Sequence, residues 1–173
     1  MTAPRQIVLA LGSNLGDRRA NLQAGVDSLT ARPDLDLPAV SAVYETRPVG
    51  GPPQPDYLNA VLLATSGLPA LQILRLCRAA EQAVGRDRSP QAARWGPRTL
   101  DVDVIACGTE TYDSPDLTLP HPRAHQRAFV LAPWHDVDPA ATLPGHGPVA
   151  GLLDEVGLDG VTPRPELALR IGS

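Results

Sequence analysis

The sequence predicts an α+β fold of the ferredoxin-like kind, in which two helices pack on a four-stranded antiparallel sheet. Four apolar segments have the length and composition of strands, and two others carry apolar residues at helical spacing. Their order along the chain is βαββαβ. A chain of 173 residues fits one domain, so we expect residues 1–173 to form a single unit.

The first strand and the first helix are joined by a glycine-containing turn. Residues 6–11 form a short apolar run that ends at Gly12, which predicts a strand entering a tight turn. A helix follows, because Asp17 can cap it, Pro33 lies past its end, and apolar residues recur at helical spacing at Leu22, Val26 and Leu29. The turn at 12–16 matches neither GxGxxG nor a Walker sequence, so we interpret it as a simple strand-to-helix connection.

The second and third strands are predicted to pair across a proline-rich loop. Apolar residues alternate with polar ones from Val40 to Tyr44, and residues 57–65 form a longer apolar run. Residues 46–53 between them contain three prolines and two glycines. Such a segment cannot enter a helix or a sheet interior, so its backbone is available to contact a ligand.

The second half of the core repeats the helix-to-strand order. Residues 69–84 predict a helix that ends at Gly85, with its inward candidates at Leu71, Leu74, Ala79 and Ala80. Residues 99–106 predict the fourth strand. The pattern weakens after residue 107, and residues 140–173 are expected to be a C-terminal extension of short elements.

Composition and charge exclude several kinds of chemistry. All 15 basic side chains are arginine, so a Schiff-base lysine, a lysine general base and a GxxxxGK phosphate loop are excluded. The net charge of −4 argues against a general nucleic-acid binder. Cys77 and Cys107 form no CxxC pair, and no basic segment leads into a long apolar run, so we expect a cytoplasmic protein without membrane association.

An acidic pair on the fourth strand predicts a metal site. Asp101 and Asp103 are two residues apart, so both side chains leave the same face, with Cα atoms roughly 6.5–7 Å apart. Two such carboxylates repel each other unless cations lie between them. The pair favours magnesium, which takes few protein oxygens and completes its shell with phosphate and water. A solvent-exposed strand face is the alternative for the pair taken alone.

A cluster of arginines precedes this pair. Residues 86–98 contain four of them, namely Arg86, Arg88, Arg94 and Arg98. A cationic loop beside a metal-binding pair is suited to hold a polyphosphate between arginine side chains and metal ions. The alternative is a solvated charge cluster.

Scarce aromatic residues next to polar ones indicate a site for a flat ring. Tyr57 and Phe129 can sandwich a heterocycle, while Asn59 offers a donor and an acceptor to its edge. Thr46 in the neighbouring loop can add a contact. Each aromatic residue has an ordinary place in the core as its alternative.

Two further features lie close to the predicted phosphate site. Trp95 stands between Arg94 and Arg98, and His121 lies in a proline-rich turn near Arg127, where it can contact phosphate. A surface histidine is the alternative for His121.

Together these residues resemble a known family, the 6-hydroxymethyl-7,8-dihydropterin pyrophosphokinases of folate biosynthesis. The motifs stand in the family's order within about residues 7–139, and they are LGSNLGD at 11–17, ETRPVG at 45–50, QPDYLN at 54–59, RWGPRTLDVD at 94–103, and PHPR at 120–123 followed by RAFVL at 127–131. The resemblance implies transfer of the β,γ-pyrophosphoryl group of ATP to the pterin hydroxymethyl oxygen, with release of AMP.

The resemblance also implies which residues perform this reaction. Two magnesium ions would be held by Asp101 and Asp103. The catalytic residues would be Arg86, Arg98, Asp101 and Asp103. The nucleotide would be bound by Glu81, Arg86, Arg88, Arg94, Trp95, Arg98, Thr118, His121 and Arg127. The pterin would be bound by Thr46, Val49, Tyr57, Asn59, Trp95, Asp101 and Phe129.

A different class remains as the alternative, namely a non-catalytic ligand- or RNA-binding ferredoxin-like module. An RNA-binding sheet needs solvent-facing aromatic residues and a basic surface, which this sequence does not predict. We therefore expect an enzyme whose partners are the two small substrates, with neither nucleic acid nor membrane, and which is a monomer.

Overall fold

An antiparallel sheet with helices on both faces forms the centre of the molecule. It is described from a computed structural model, in which residues 3–48, 51–85 and 98–171 are placed. The strands of the main sheet are β1 (Arg5–Ser13), β2 (Asp36–Val40), β3 (Tyr44–Thr46), β4 (Tyr57–Ser66), β5 (Asp101–Cys107) and, from the tail, β10 (Val161–Pro163). Two small hairpins complete the β-structure, β6 (Tyr112–Asp113) with β7 (Thr118–Leu119) and β8 (Thr142–Leu143) with β9 (Gly147–Pro148). The helices are α1 (Arg18–Thr30), α2 (Ala70–Ala83), α3 (Ala128–Val137) and α4 (Val149–Val156), and the 3-10 turns are Ala124–Gln126 and Pro165–Leu167.

The strand order confirms the predicted mixed α+β architecture with an antiparallel sheet. The order is β10-β3-β4-β1-β5, and β2 also pairs with β4. β2 and β3 lie along different parts of β4, so they replace the single strand expected around residues 40–44. Between them Ser41 bonds to Val61 twice, its N–H donating to the carbonyl at 2.9 Å and its hydroxyl accepting from the N–H at 2.8 Å. The sheet has six strands instead of four, because this edge is interrupted and the tail adds β10.

The first helix follows the sequence pattern closely. Asp17 caps α1 by accepting a hydrogen bond from the Ala20 N–H at 3.0 Å. The predicted apolar stripe is buried at Leu22, Val26 and Leu29.

The second helix differs in which of its residues face inward. Gly85 ends it with a positive φ of 89°, a conformation that glycine adopts without a Cβ penalty. Ala80 is buried as predicted, but Leu71 and Leu74 are only partly buried. The buried stripe runs instead through Ala70, Ile73 and Cys77 and ends at the carboxyl-bearing Glu81.

Each face of the sheet packs against its own pair of helices. Alternate residues of β1 divide between the two cores, as Leu9 and Leu11 show on one face and Val8 on the other. The first core includes the buried residues of α1 and α2, and the second includes Val130, Leu131 and Trp134 of α3 and Val149 of α4. Among the residues that are placed, no helix is long and apolar enough to cross a membrane.

The C-terminal segment is part of the sheet. β10 pairs antiparallel with β3, and Leu169 beyond it is buried in the first core. Glu45 of β3 accepts from Arg18 of α1 and from Arg164 of the tail, each at 2.6 Å. Hydrogen bonding from Arg18 is the largest cause that lowers the pKa of Glu45. The tail therefore braces the strand that leads into the proline-rich loop.

Candidate active site

A cavity of about 680 Å³ opens beside the C-terminal end of β1, on the face of the sheet that carries α3. It brings together nearly every predicted site residue that the structure describes, which are Thr46, Tyr57, Asn59, Arg98, Asp101, Asp103, His121, Arg127 and Phe129. These residues come from five separate parts of the chain. The sheet register explains why they meet.

Gly12 lines the cavity between its two sides. In the register of β1 it is paired with Asn59 of β4 on one side and with Asp101 of β5 on the other. A Cβ atom at this position would lie 2.7 Å from Asn59 Oδ1 and 3.2 Å from Tyr57 Cδ1. Only glycine leaves the floor open at this close approach. The side of the cavity at Asn59 and the acidic side at Asp101 are therefore separated by β1, which has no side chain at Gly12.

The acidic side is formed by Asp101 and Asp103 near Arg98. Both aspartates are partly buried and line the cavity, as their alternation on β5 predicts. No group of three or more metal-ligating side chains occurs in the ranges that the structure covers. Two carboxylates without a third acidic ligand fit magnesium, which binds few protein oxygens and takes the rest from phosphates and water.

His121 stands beside this acidic pair as a neutral imidazole. Burial is the main cause that lowers its pKa to about 4, and Arg127 adds to the effect, while Asp101 opposes it and Arg123 again lowers the pKa. Its Nδ1 accepts from the Arg123 N–H at 3.2 Å, which leaves the Nε2–H as the donor of the neutral ring. Near neutral pH the side chain therefore offers a hydrogen bond to an anion without adding a charge.

The opposite side of the cavity carries the amide, hydroxyl and aromatic side chains that the sequence predicts for a ring site. Asn59 donates from Nδ2 to the Thr46 hydroxyl at 2.6 Å, and both residues are buried. Tyr57 and Phe129 line the same cavity. The Arg127 guanidinium carbon lies 5.4 Å from the centre of the Phe129 ring, within the range of a cation–π contact. This arrangement joins an amide edge, a hydroxyl and two aromatic faces.

Some predicted site residues are not placed at the cavity. Val49, Arg86, Arg88, Arg94 and Trp95 lie outside the described residues. Thr118 lies in β7 and does not line the cavity. Glu81 is buried on α2, where it accepts a hydrogen bond from the Val102 N–H at 2.8 Å.

Other residues belong to the cavity although we did not predict them as site residues. They are Gly12, Arg47, Pro48, Gln54, Arg123 and Gln126, with Ala10 and Leu11 from β1. Most of them lie within the quoted motifs, but their residue types alone do not indicate a catalytic or binding role. The turn after β1, which we interpreted as a simple strand-to-helix connection, also contributes Asn14 to the structure of the site.

Asn14 joins the two sides of the site through four hydrogen bonds. Its Nδ2 donates to Gln54 Oε1 at 2.8 Å and to the Pro55 carbonyl at 3.0 Å. Its Oδ1 accepts from the Arg98 N–H at 2.8 Å, and its own N–H donates to the Arg98 carbonyl at 3.0 Å. Asn14 is 1% exposed, while its partners Gln54 and Arg98 are partly buried. The signal available in the sequence was an asparagine directly after a strand end.

The fold and the cavity together define a class: an α+β protein with a cleft that is aromatic and polar on one side and acidic, with arginines beside it, on the other. The particular family is shown by comparison with known proteins. Residues 8–139 match the family model described as 7,8-dihydro-6-hydroxymethylpterin-pyrophosphokinase (HPPK). The chain belongs to this family, which confirms the resemblance in the motifs.

Curated relatives and solved structures agree with this assignment. The chain is 46% identical over 164 residues to the 2-amino-4-hydroxy-6-hydroxymethyldihydropteridine pyrophosphokinase of Mycobacterium bovis, covering 87% of this chain and 84% of that one. It is 37% identical over 161 residues to the enzyme of the same name from Pseudomonas aeruginosa, covering 93% of this chain and 98% of that one. A crystal structure of Plasmodium falciparum HPPK-DHPS with pteroate is similar in fold, with a TM-score of 0.67 at 13% identity. The match covers 90% of this chain and 43% of that longer chain.

Proposed function

We propose that this protein transfers the β,γ-pyrophosphoryl group of ATP to the hydroxymethyl oxygen of 6-hydroxymethyl-7,8-dihydropterin in folate biosynthesis. The observation that carries the proposal is the pairing of Gly12 with both Asn59 and Asp101, which sets a ring site and a metal-type carboxylate in one cavity. The pterin ring enters between Tyr57 and Phe129. The hydroxymethyl group then points toward Asp101 and Asp103.

The ring site selects the heterocycle by its edge. A pterin carries alternating donors and acceptors, which the amide of Asn59 and the hydroxyl of Thr46 can match. The bond between these two side chains orients both of them before the substrate arrives. Stacking on Tyr57 and Phe129 adds contact area and does not depend on the order of donors and acceptors along the ring edge. By the family resemblance, Val49 and Trp95 complete this site.

The phosphate site neutralises and positions the triphosphate. Arg98 and Arg127 line the cavity beside the two aspartates, and the neutral His121 adds a donor. Magnesium bound by Asp101 and Asp103, as two ions in our proposal, would offset phosphate charge at the reacting phosphorus. By the resemblance, Arg86, Arg88 and Arg94 contribute from the arginine-rich loop, and Thr118 approaches the nucleotide.

The proposed reaction is a single displacement at the β-phosphorus of ATP. The substrate hydroxyl oxygen forms the new bond to that phosphorus, the α,β-bridging P–O bond breaks, and AMP leaves with the electron pair. The hydroxyl proton is released. Placing the two substrates in line supplies much of the rate enhancement in such transfers.

We further propose that residues 1–173 form one catalytic domain that works as a cytoplasmic monomer. The pairing of β10 with β3 supports this proposal, because it joins the tail to the strand that carries Thr46. A role in folate biosynthesis fits an enzyme that meets its two small substrates in the cytoplasm.

The direct test is an assay for AMP. We expect AMP only when ATP, magnesium and 6-hydroxymethyl-7,8-dihydropterin are present together. Omission of any one of them is the control. Binding of the pterin without AMP formation under complete conditions would support a ligand-binding module instead and would refute the enzyme.

A further inference from the structure

Glu81 is a buried carboxyl group that does not line the cavity. It is 1% exposed and lies near the end of α2, on the stripe that packs against the sheet. Its Oε2 accepts from the N–H of Val102 at 2.8 Å, and this bond is buried. Burial of a carboxyl group on an apolar helix face is unfavourable unless the group is hydrogen-bonded, because the group loses its hydration.

The N–H group that donates to Glu81 belongs to the residue between the two cavity aspartates. Val102 lies between Asp101 and Asp103, and its side chain packs into the first core while theirs face the cavity. Its backbone therefore sets the direction of both neighbouring carboxylates. A shift or rotation of this peptide moves them together.

The position of β5 explains why a side chain is needed there. β5 is the last strand in the order of the main sheet, and β1 pairs with it on one side only. Within residues 3–48, 51–85 and 98–171, no neighbouring strand of that sheet accepts hydrogen bonds from the N–H groups on its other side. A buried N–H without an acceptor would be unfavourable, and Glu81 supplies the acceptor from the helix that packs on β5.

The structure leads us to propose that Glu81 is a positioning residue for the two metal-binding aspartates. This inference rests on the proposed function of Asp101 and Asp103. Glu81 acts through the backbone of Val102 and holds the acidic pair in one orientation, whereas the resemblance implied a contact with the nucleotide. What the site requires at this position is a hydrogen-bond acceptor at the right distance. Outer partners of this kind commonly change metal affinity by about 10–100-fold when they are removed.

Two substitutions separate the acceptor from the charge. Glu81→Gln keeps an oxygen at the same distance and removes the charge, while Glu81→Asp keeps the charge and withdraws the oxygen by one methylene. Binding of Mn²⁺ in the presence of α,β-methylene-ATP is measured by electron paramagnetic resonance. We expect Glu81→Asp to weaken Mn²⁺ binding at least about tenfold. We expect Glu81→Gln to stay within about threefold of the wild type.

Amide exchange gives a second readout at the proposed point of contact. The Val102 N–H should exchange slowly in the wild type and in Glu81→Gln, and faster in Glu81→Asp. Gln82→Ala, at the exposed neighbour on the same helix, is the matched control and should change neither measurement. Circular dichroism verifies that each variant is folded.

The outcomes are decisive in both directions. Strong loss of Mn²⁺ binding in Glu81→Gln, with Val102 still protected, would overturn the proposal, because the charge and not the acceptor would matter. Unchanged binding in Glu81→Asp would overturn it as well. If Glu81→Asp does not fold, Glu81→Met, which keeps the length of the side chain and removes the acceptor, takes its place with the same expected loss of Mn²⁺ binding. Neither readout needs turnover, so a failed AMP assay would refute the proposed function without deciding this inference.

Discussion

Single residues determine the shape and the charge of the site by different means. Gly12 contributes by having no side chain, and Asp101 and Asp103 contribute by their spacing on one strand. The spacing is a local property, so the sequence alone predicts that the two carboxylates share a face. The role of Gly12 depends on which residues β4 and β5 place beside it, and single-sequence patterns do not contain that register.

The open floor at Gly12 predicts the effect of adding one methyl group. In Gly12→Ala the new Cβ would lie 2.7 Å from Asn59 Oδ1, so Asn59 must move away from its bond to Thr46. We expect the dissociation constant of the pterin to rise about tenfold, a loss of about 1.4 kcal/mol. Fluorescence titration measures it. Gly151→Ala on α4, where nothing lies within 4 Å, is the control and should leave binding unchanged.

The acidic pair predicts a loss of turnover without a loss of fold. Asp103→Ala removes one of the two carboxylates that we propose to hold magnesium, so we expect activity to fall at least about 10³-fold. The circular dichroism spectrum should be unchanged, because the side chain is only partly buried. Asp113→Ala, at an exposed position in β6, is the control. A rate near that of the wild type in a folded Asp103→Ala would contradict the metal assignment.

Helices and strands that depend on a local residue pattern match the elements predicted from the sequence. Elements and contacts that depend on distant partners were not predicted. α1 has the predicted cap and apolar stripe, and β4 nearly the predicted limits. β10 was not predicted, because three residues without strong alternation become a strand only when β3 is beside them. The contact of Glu81 with Val102 also depends on a distant partner, because it forms only once α2 is packed on β5, and a role of Glu81 at the nucleotide stays a prediction.

The hydrogen bonds of Asn14 connect the loop at Gln54 and Pro55 to the segment at Arg98, so we expect a change at Asn14 to affect both stability and the site. Asn14→Asp replaces the two N–H donors that face Gln54 and Pro55 with an acceptor, while it keeps the oxygen that faces Arg98. We expect stability to fall by about 1–3 kcal/mol, because two partly buried hydrogen bonds, each contributing about 0.5–1.5 kcal/mol, are lost. We also expect the affinity for the pterin to fall more than kcat, because the lost bonds hold the loop at Gln54, which lines the cavity, whereas the bond to the Arg98 N–H is kept.

Urea unfolding and steady-state kinetics measure these two effects. Gln72→Glu introduces the same charge at an exposed position of α2 and serves as the matched control. Equal loss of activity in both variants would show that added charge, and not the lost link, is responsible.

At the scale of the whole molecule, the buried imidazole of His121 makes folding depend on pH. Its pKa is about 4 in the folded chain and 6.5 as the ordinary value, so the unfolded chain binds more protons between these two values. Stability is therefore complete above pH 6.5 and decreases as the pH falls toward 4, by at most about 3 kcal/mol from this group.

Urea unfolding of the ligand-free protein at pH 7 and at pH 4.5 measures this effect. His121→Gln removes the titrating group, so we expect its loss of stability between these pH values to be smaller than that of the wild type. His135→Gln on α3 is the matched control and should keep the dependence of the wild type. An identical dependence in His121→Gln would refute the assignment to His121.

The pairing of Gly12 with Asn59 and Asp101 also fixes a length. Two strand spacings of about 4.8 Å separate Asn59 from Asp101, roughly 10 Å in all. In the proposed function, Asn59 contacts the ring edge and Asp101 holds the metal. Backbone hydrogen bonds set this span, so substitutions of side chains change how tightly a ligand binds but not how long it must be. A ring system whose reacting oxygen is one bond further from its recognised edge would overshoot the acidic pair, and a shorter one would not reach it. To accept either, the sheet itself would have to change, for example by a bulge in β1.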